Sequence, residues 1–346
     1  MKQRIRQVNR REVLRGLGAG ALLAGVPGEW LAGSTKAEAE TMKTADQAKK
    51  PDLNKVLPEF SEGSRKRLQE LVSATDFDAR IPAADVKAIA ANEGKTVDAL
   101  MMALLPLART LSRPPISQFL VGAVTRGASG SLYLGANLEI AGQALGFTVH
   151  AEQSAIAAAY MHAEKGIETI AVTAAPCGHC RQFMNELSPH SKVDILVKDR
   201  AATTLAALLP ESFGPGDLGR KDGAFPVQST SLKLSGNANA LATAALEAAR
   251  MSYAPYSKSP SGVAIESKSG RTFKGSYIEN AAFNPSLPPL QTALLALIAA
   301  GEDFATITNV ALCELGGSTI SQKSPCEAVL ASIAPGVKLQ RVAASV

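Results

Sequence analysis

An α/β sandwich that occurs twice in one chain is the fold the sequence predicts, and three observations predict it. Strand-like and helical runs alternate from residue 118 onward. "VGAVTRGASGSLYLGANLE" lines up with "SGVAIESKSGRTFKGSYIE" at an offset of 140, pairing Gly122 with Gly262, Gly130 with Gly270, Gly135 with Gly275 and Glu139 with Glu279. A stretch rich in Gly, Pro and Ser, "LLPESFGPGDLGRKDGAFPVQSTSLKLSG", separates the two copies. A chain of 346 residues, 46% apolar and 5% aromatic, has room for two such cores.

The elements follow in order. Residues 1–39 hold seven basic residues (Lys2, Arg4, Arg6, Arg10, Arg11, Arg15, Lys36) against Glu12, Glu29 and Glu38, an apolar run from Gly16 to Val26, and Ala37-Glu38-Ala39 as a cleavage site. This is the layout of a twin-arginine export signal, so the periplasm is the expected location; the alternative is a cytoplasmic protein with a disordered basic extension. Residues 40–63 read as a polar linker. Over 64–107 the apolar positions Leu68, Leu71, Val72, Ile81, Val86, Ile89, Val97, Leu100, Met101, Leu104 and Leu105 recur at helical spacing, predicting a small helical segment ended by Pro106 and the Pro114-Pro115 pair. The first copy is expected over 108–209: strands in "QFLVGAVTR" and "SLYLGANLEI" joined through "GASG", a helix over 151–163, the strand "TIAVTA", a helix opening at Cys177, and the strand "DILVKD". A linker over 210–236 leads to the second copy, 237–346.

Charge and cysteine content narrow the classes. The net charge is +5, but +4 of it sits in residues 1–39, which leaves a body near neutrality and argues against nucleic acid as partner. Four cysteines, at 177, 180, 313 and 326, are too few for a disulfide scaffold. Outside the leader no segment approaches membrane-spanning length, so the mature form is expected to be soluble and free of the membrane.

The chemistry concentrates in "HAEQSAI" and "PCGHC". Cys177 and Cys180 share one helix face at i and i+3, and Pro176 suits a first turn because it has no N–H to lose. His150 opens a neighbouring helix. Two helix starts can thus offer one imidazole and two thiolates, three of the four positions of tetrahedral zinc, with the fourth left for water. Glu152, two residues from His150, can act as base on that water without binding the metal. Taken alone, the C-x-x-C could equally be a structural zinc corner or a redox pair. His179 reads as a neighbour of the metal group rather than a ligand, and His162 and His190 as surface or capping residues.

His-x-Glu together with Pro-Cys-x-x-Cys is the signature of zinc-dependent deaminases. With "GANLE", "PYSKSPSGVA", "PCGHCRQFMNEL" and "ENAAFNP", the chain resembles bacterial cytidine deaminases of the dimeric, two-domain type over residues 64–346. The resemblance implies a three-layer α/β/α sandwich and one zinc per chain, held by His150, Cys177 and Cys180. It implies hydrolysis of cytidine and deoxycytidine to uridine and deoxyuridine with release of ammonia. Glu152 would be the proton shuttle, first to N3 of the base and then to the departing amino group. Asn137 and Glu139, at i and i+2 of a strand, would grip the sugar hydroxyls, and Phe119 would border the base. Glu139 could instead pair with a nearby cation, and Phe119 could be plain core packing. Ala174 and Ala175 depart from the larger or hydroxyl-bearing residues of the family.

The second copy has Pro288 where the first has His150, Leu290 where it has Glu152, and Val329 three residues after Cys326. It is expected to be structural. The resemblance also implies a homodimer in which this copy covers the partner's site, with Phe283 as an apolar lid. Nucleic-acid deamination and zinc-stabilised binding without turnover are the competing functions; the near-neutral body argues against the former and Glu152 against the latter.

Overall fold

The computed structural model describes residues 51–187, 192–236 and 238–346, all within one compact unit, Thr44–Val346. The leader with Arg10 and Arg11, residues 40–50 of the expected linker, and His190 lie outside the described residues.

Three short helices precede and flank the first sheet. These are α1 (Leu53–Val56), α2 (Glu62–Ser73) and, after β1 (Arg80–Ile81), α3 (Ala83–Asn92). The side chains of Asp52 and Ser61 cap α1 and α2 by accepting a backbone N–H. Helix α4 (Val97–Arg109) is capped by Thr96 and buries Leu100, Met101, Leu104, Leu105 and Leu107. Then come β2 (Gly122–Gly127), β3 (Leu132–Ala136), α5 (Ala151–Met161), β4 (Ile167–Val172), α6 (Gly178–Met184), β5 (Asp194–Val197), β6 (Thr203–Thr204) and α7 (Leu205–Leu208). The sheet order is β1-β3-β2-β4-β5-β6, with β4 and β5 parallel and the other pairs antiparallel.

Strand alternation makes the layers. Val124, Leu132, Leu134 and Ala171 join the core of α4, while their neighbours Ala123, Tyr133, Ile170 and Val172 join the core of α5. The sheet is therefore covered on both faces.

The second copy repeats this frame as β7 (Lys233–Leu234), α8 (Ala240–Arg250), β8 (Ser261–Ser267), β9 (Thr272–Ser276), α9 (Pro289–Ala299), β10 (Ile307–Leu315), α10 (Lys323–Ile333) and β11 (Leu339–Ser345). Its order, β7-β11-β10-β8-β9, contains the same run β9-β8-β10-β11 as the first copy's β3-β2-β4-β5. The register agrees too: Gly122 faces Ala136 and Gly262 faces Ser276. One continuous core holds Ala155 and Ile156 of α5 together with Ala293, Leu294 and Leu297 of α9.

Two features differ from the sequence reading. Pro106 does not end its helix, which runs on to Arg109. The ring sits on the exposed side, so the missing N–H bond falls where water can serve the freed carbonyl, and Leu104, Leu105, Leu107 and Ala108 remain buried on the other side. Helix α4 packs on β2 as α8 packs on β8, so the expected boundary at 107/108 falls inside a helix that forms one layer of the first sandwich. The stretch 210–236 is also more than a linker. Ala224 and Phe225 are buried, their N–H groups bond Glu186 O and Leu187 O, and the Phe225 ring meets Tyr160 edge-on. Likewise Leu53, Leu57 and Phe60 of the expected linker 40–63 are core residues.

Candidate metal centre

Helix α5 begins at His150, its N-cap, and Gln153 at the third helical position accepts the His150 N–H at 3.1 Å, one half of a capping box. The helix is seated on β3 at Gly135, where an added Cβ would lie 2.1 Å from the Ala155 nitrogen. Only a residue without a side chain permits that approach. Gly275 has the same relation to Ala293 of α9, at 2.2 Å.

Helix α6 begins at Cys177, also an N-cap. Pro176 therefore stands one residue before the cap rather than in the first turn. The turn is tied down by Arg181, whose Nε donates to Pro176 O at 2.9 Å and whose Nη1 donates to Leu208 O at 2.9 Å.

These two starts bring three donors together. His150 Nδ1 lies 3.5 Å from Cys177 Sγ and 3.2 Å from Cys180 Sγ, and the sulfurs are 3.5 Å apart. Tetrahedral zinc at ordinary bond lengths needs S···S and N···S separations of about 3.6–3.8 Å. The group is within a few tenths of an ångström of that, so the residues fit a zinc ion, and it is the one such group found among the described residues. Its hydrogen bond with Cys180 holds the Cys177 thiol down at about 4, while the same bond pushes Cys180 up. One sulfur is a ready thiolate, the form a metal binds. Cys177 is exposed and Cys180 buried, so the group opens to solvent on the Cys177 side, next to Ala174 and the exposed Ala175.

Glu152 is 4% exposed, and burial raises its carboxyl above the usual range against the pull of a hydrogen bond to Cys180. The His179 ring stacks on His150 at 5.2 Å and 25° without joining the donor group. His162 does cap a helix: it ends α5, with Nδ1 at 2.7 Å from Ala158 O and Nε2 at 2.7 Å from Asp78.

The other predicted residues form a neighbouring cluster. Asn137, which follows β3, is buried; its Oδ1 accepts Ser112 Oγ and the Val121 N–H, and its Nδ2 donates to Phe119 O at 2.9 Å. Glu139 accepts the N–H groups of Ile116 and Ser117 at 2.8 and 2.9 Å and the Ser117 hydroxyl. No ion pair of Glu139 is found among the described residues; the turn at 116–117 engages it. Phe119 is 61% exposed, which removes it from the core. Glu279 holds the matching turn through the Tyr256 and Ser257 N–H groups, whereas Asn137 has Tyr277 as its counterpart.

Sequence reasoning missed Gln153, Arg181 and Glu186. Gln153 carried a signal, a Gln three residues after a helix-opening polar residue. The partners of Glu186 lie 67 to 95 residues away and left none.

A duplicated α/β sandwich whose first copy alone, among the described residues, assembles an imidazole, two thiols and a buried carboxyl is a zinc-type enzyme. The family model for the cytidine and deoxycytidylate deaminase zinc-binding region matches residues 95–196, and a second model of the same description matches 205–327. The chain is 48% identical over 273 residues to a cytidine deaminase of Vibrio cholerae, covering 79% of this chain and 92% of the relative. It is 43% identical over 293 residues to one of Vibrio parahaemolyticus (85% and 99%) and 47% identical over 266 residues to one of Cronobacter sakazakii (77% and 90%). The chain belongs to the zinc-dependent cytidine and deoxycytidylate deaminase family. The first match starts before α4, in keeping with that helix being a layer of the first copy.

Proposed function

We propose that this protein hydrolyses cytidine and deoxycytidine to uridine and deoxyuridine with release of ammonia, a pyrimidine nucleoside salvage reaction. The observation that carries the reading is the buried Glu152 two residues from His150, beside two thiols at zinc-binding separation. Zinc held by His150, Cys177 and Cys180 supplies the Lewis acidity that makes water a nucleophile at neutral pH.

The chain's own residues do the rest. Glu152 takes one proton of the attacking water and places it on N3 of the base, making C4 electrophilic; it then takes the proton of the new C4 hydroxyl and passes it to the amino group, which leaves as ammonia while C4 becomes a carbonyl. Burial raises the Glu152 carboxyl above the ordinary range, which suits a group that must both take up and give back a proton. Glu139 and Asn137 receive the sugar; the bond from Ser117 Oγ to Glu139 is one that a sugar hydroxyl can replace. The exposed Phe119 borders the base. A site that opens beside Ala174 and Ala175 suits a small nucleoside from solution.

The first copy is catalytic and the second, with Pro288 and Leu290, is not. Phe283, 64% exposed at φ 62°, is presented by the second copy toward the partner in a homodimer. The Arg10-Arg11 leader directs export to the periplasm. No helix among the described residues is long and apolar enough to cross a membrane.

The test is purified protein with zinc quantified and ammonia release followed on cytidine, deoxycytidine and cytosine-containing single-stranded DNA. One zinc per chain with turnover of the nucleosides supports the reading; a zinc-loaded chain that turns over only the polymer, or neither substrate, overturns it. Fractionation with an intact and an Arg10/Arg11-substituted leader tests the location.

A further inference from the structure

The second copy has kept its fold without its chemistry, and its contacts with the two metal-bearing helices are polarised. Glu186 follows α6 directly and is 1% exposed. Its Oε1 accepts the hydroxyls of Tyr253 and Tyr256, and its Oε2 accepts the Ala281 N–H at 2.8 Å, so every donor comes from the second copy. Asn280 Nδ2 donates to Gln182 O on α6 at 3.0 Å. Gln153 on α5 donates from Nε2 to Pro285 O at 3.0 Å while its Oε1 holds the His150 N–H. The loop 280–285 thus grips both helices whose first residues are the metal donors.

The first copy reaches back at two other places. The Tyr160 hydroxyl of α5 donates to Met251 O at the end of α8. Gln143 of the first copy reaches Ser332 near the end of α10 by a single neutral hydrogen bond of 2.7 Å. Gln291, the twin of Gln153, has its Nε2 buried with no hydrogen-bond partner among the described residues. A relay complete on the side with chemistry is incomplete on the other.

Helix α6 needs such support. Seven residues are too few for a helix to persist by its own hydrogen bonds, so its placement is set by tertiary contacts. Arg181 fixes the cysteine end and Glu186 the other. A carboxyl group that takes three donors in a dry interface is directional, and losing one donor leaves a buried polar atom without its partner.

We propose that Glu186 and Asn280 are positioning residues: through the loop 280–285, the second copy sets the spacing of α5 and α6 and hence the separation of His150 from the two cysteine sulfurs. This rests on His150, Cys177 and Cys180 being the zinc ligands, and the tests below read the metal independently of turnover.

Full-length wild type, Glu186→Gln, Asn280→Ala and Gln143→Ala are loaded with zinc, or with cobalt(II) as a spectroscopic probe. Glu186→Gln keeps shape but has one acceptor oxygen in place of two, so it cannot accept from the Ala281 N–H and from both tyrosine hydroxyls as Glu186 does. The expected result is a shifted cobalt ligand-field spectrum and zinc release to a chromogenic chelator about tenfold faster, the scale on which groups supporting metal ligands act. On cytidine, kcat falls by a similar factor and KM stays within about twofold. Asn280→Ala acts in the same direction and serves if Glu186→Gln does not fold, while Gln143→Ala matches wild type. Cobalt spectra and zinc release in Glu186→Gln or Asn280→Ala identical to wild type overturn the inference. A wild-type chain that takes up no zinc overturns instead the assignment of the ligands.

Discussion

The two copies share strand order, register and the seating of a helix on a strand glycine, yet among the described residues only one gathers an imidazole and two thiols. His150 and Glu152 open α5; Pro288 and Leu290 stand at the same places on α9, and Leu290 is fully buried where the first copy has Glu152. Features present in both copies, including the Glu139 and Glu279 turns, belong to the fold. Features confined to the first, the thiol pair, Glu152 and Asn137, are the ones the proposed chemistry uses. The comparison also qualifies Glu139: its twin holds the same turn in a copy without the metal group, so the sugar-binding role proposed for it is added to a scaffold role.

The largest effect expected from breaking the contrast comes from Glu152→Gln. Zinc content stays at the wild-type level while kcat on cytidine falls by at least about 10²–10⁴-fold, the usual worth of a general acid–base group. Unchanged turnover with zinc retained would sink the mechanism.

Leu290→Glu runs the comparison the other way. The side chain is 0% exposed in the same apolar core as Cys326, and Pro288 stands where the first copy has its imidazole, so a carboxyl there costs roughly 3 kcal/mol or more. A marked drop in Tm without any second zinc per chain is the outcome to look for by calorimetry and metal analysis.

Gly135→Ala and Gly275→Ala sharpen it. Each added methyl meets helix backbone at 2.1–2.2 Å, and each should cost about 1–3 kcal/mol of stability in denaturant titrations. Only Gly135→Ala displaces the helix carrying His150 and Glu152, so only it should lower kcat of the folded enzyme. Equal kinetic damage from both would dissolve the distinction.

The smallest effect concerns the helix ends. Alpha5 ends in His162 paired to Asp78, whereas α9 ends in the neutral Ala300. Burial works against charge on His162, but its hydrogen bonds to Asp78 and Ala158 O outweigh that and raise it; Asp78 is held down by the same pair against its own burial. The stability from His162 is complete below its unfolded value near 6.5 and fades as pH rises through the raised folded value. That from Asp78 is present above the ordinary carboxylate range and fades as pH falls through its lowered value. With the Asp78 side chain 57% exposed, the pair is worth about 0.2–1 kcal/mol. The Tm deficit of Asp78→Asn should therefore be greatest near pH 5–6 and shrink as pH rises above the His162 value.

Much of this was legible in the chain. The offset of 140 carries β2 and β3 onto β8 and β9 within a residue, and the His-x-Glu and Cys-x-x-Cys motifs contain the donors that the folded chain gathers. What escaped has physical causes. Pro106 looked like a stop because propensity was read without the burial that overrides it. The stretch 210–236 looked like a tether because Gly and Pro dominate it, yet Phe225 and Ala224 give it a buried anchor. Tyr253, Tyr256 and Ala281 reach Glu186 across the fold, and pairing at that range leaves no local pattern.

The strap at 210–236 has a further consequence. Because it is covalent and pressed onto the first copy through Phe225, the loop 280–285 meets α5 and α6 in an intramolecular encounter, at an effective concentration on the order of millimolar. Dilution in a large compartment does not weaken that encounter, whereas two half-chains expressed separately would have to find each other by mass action.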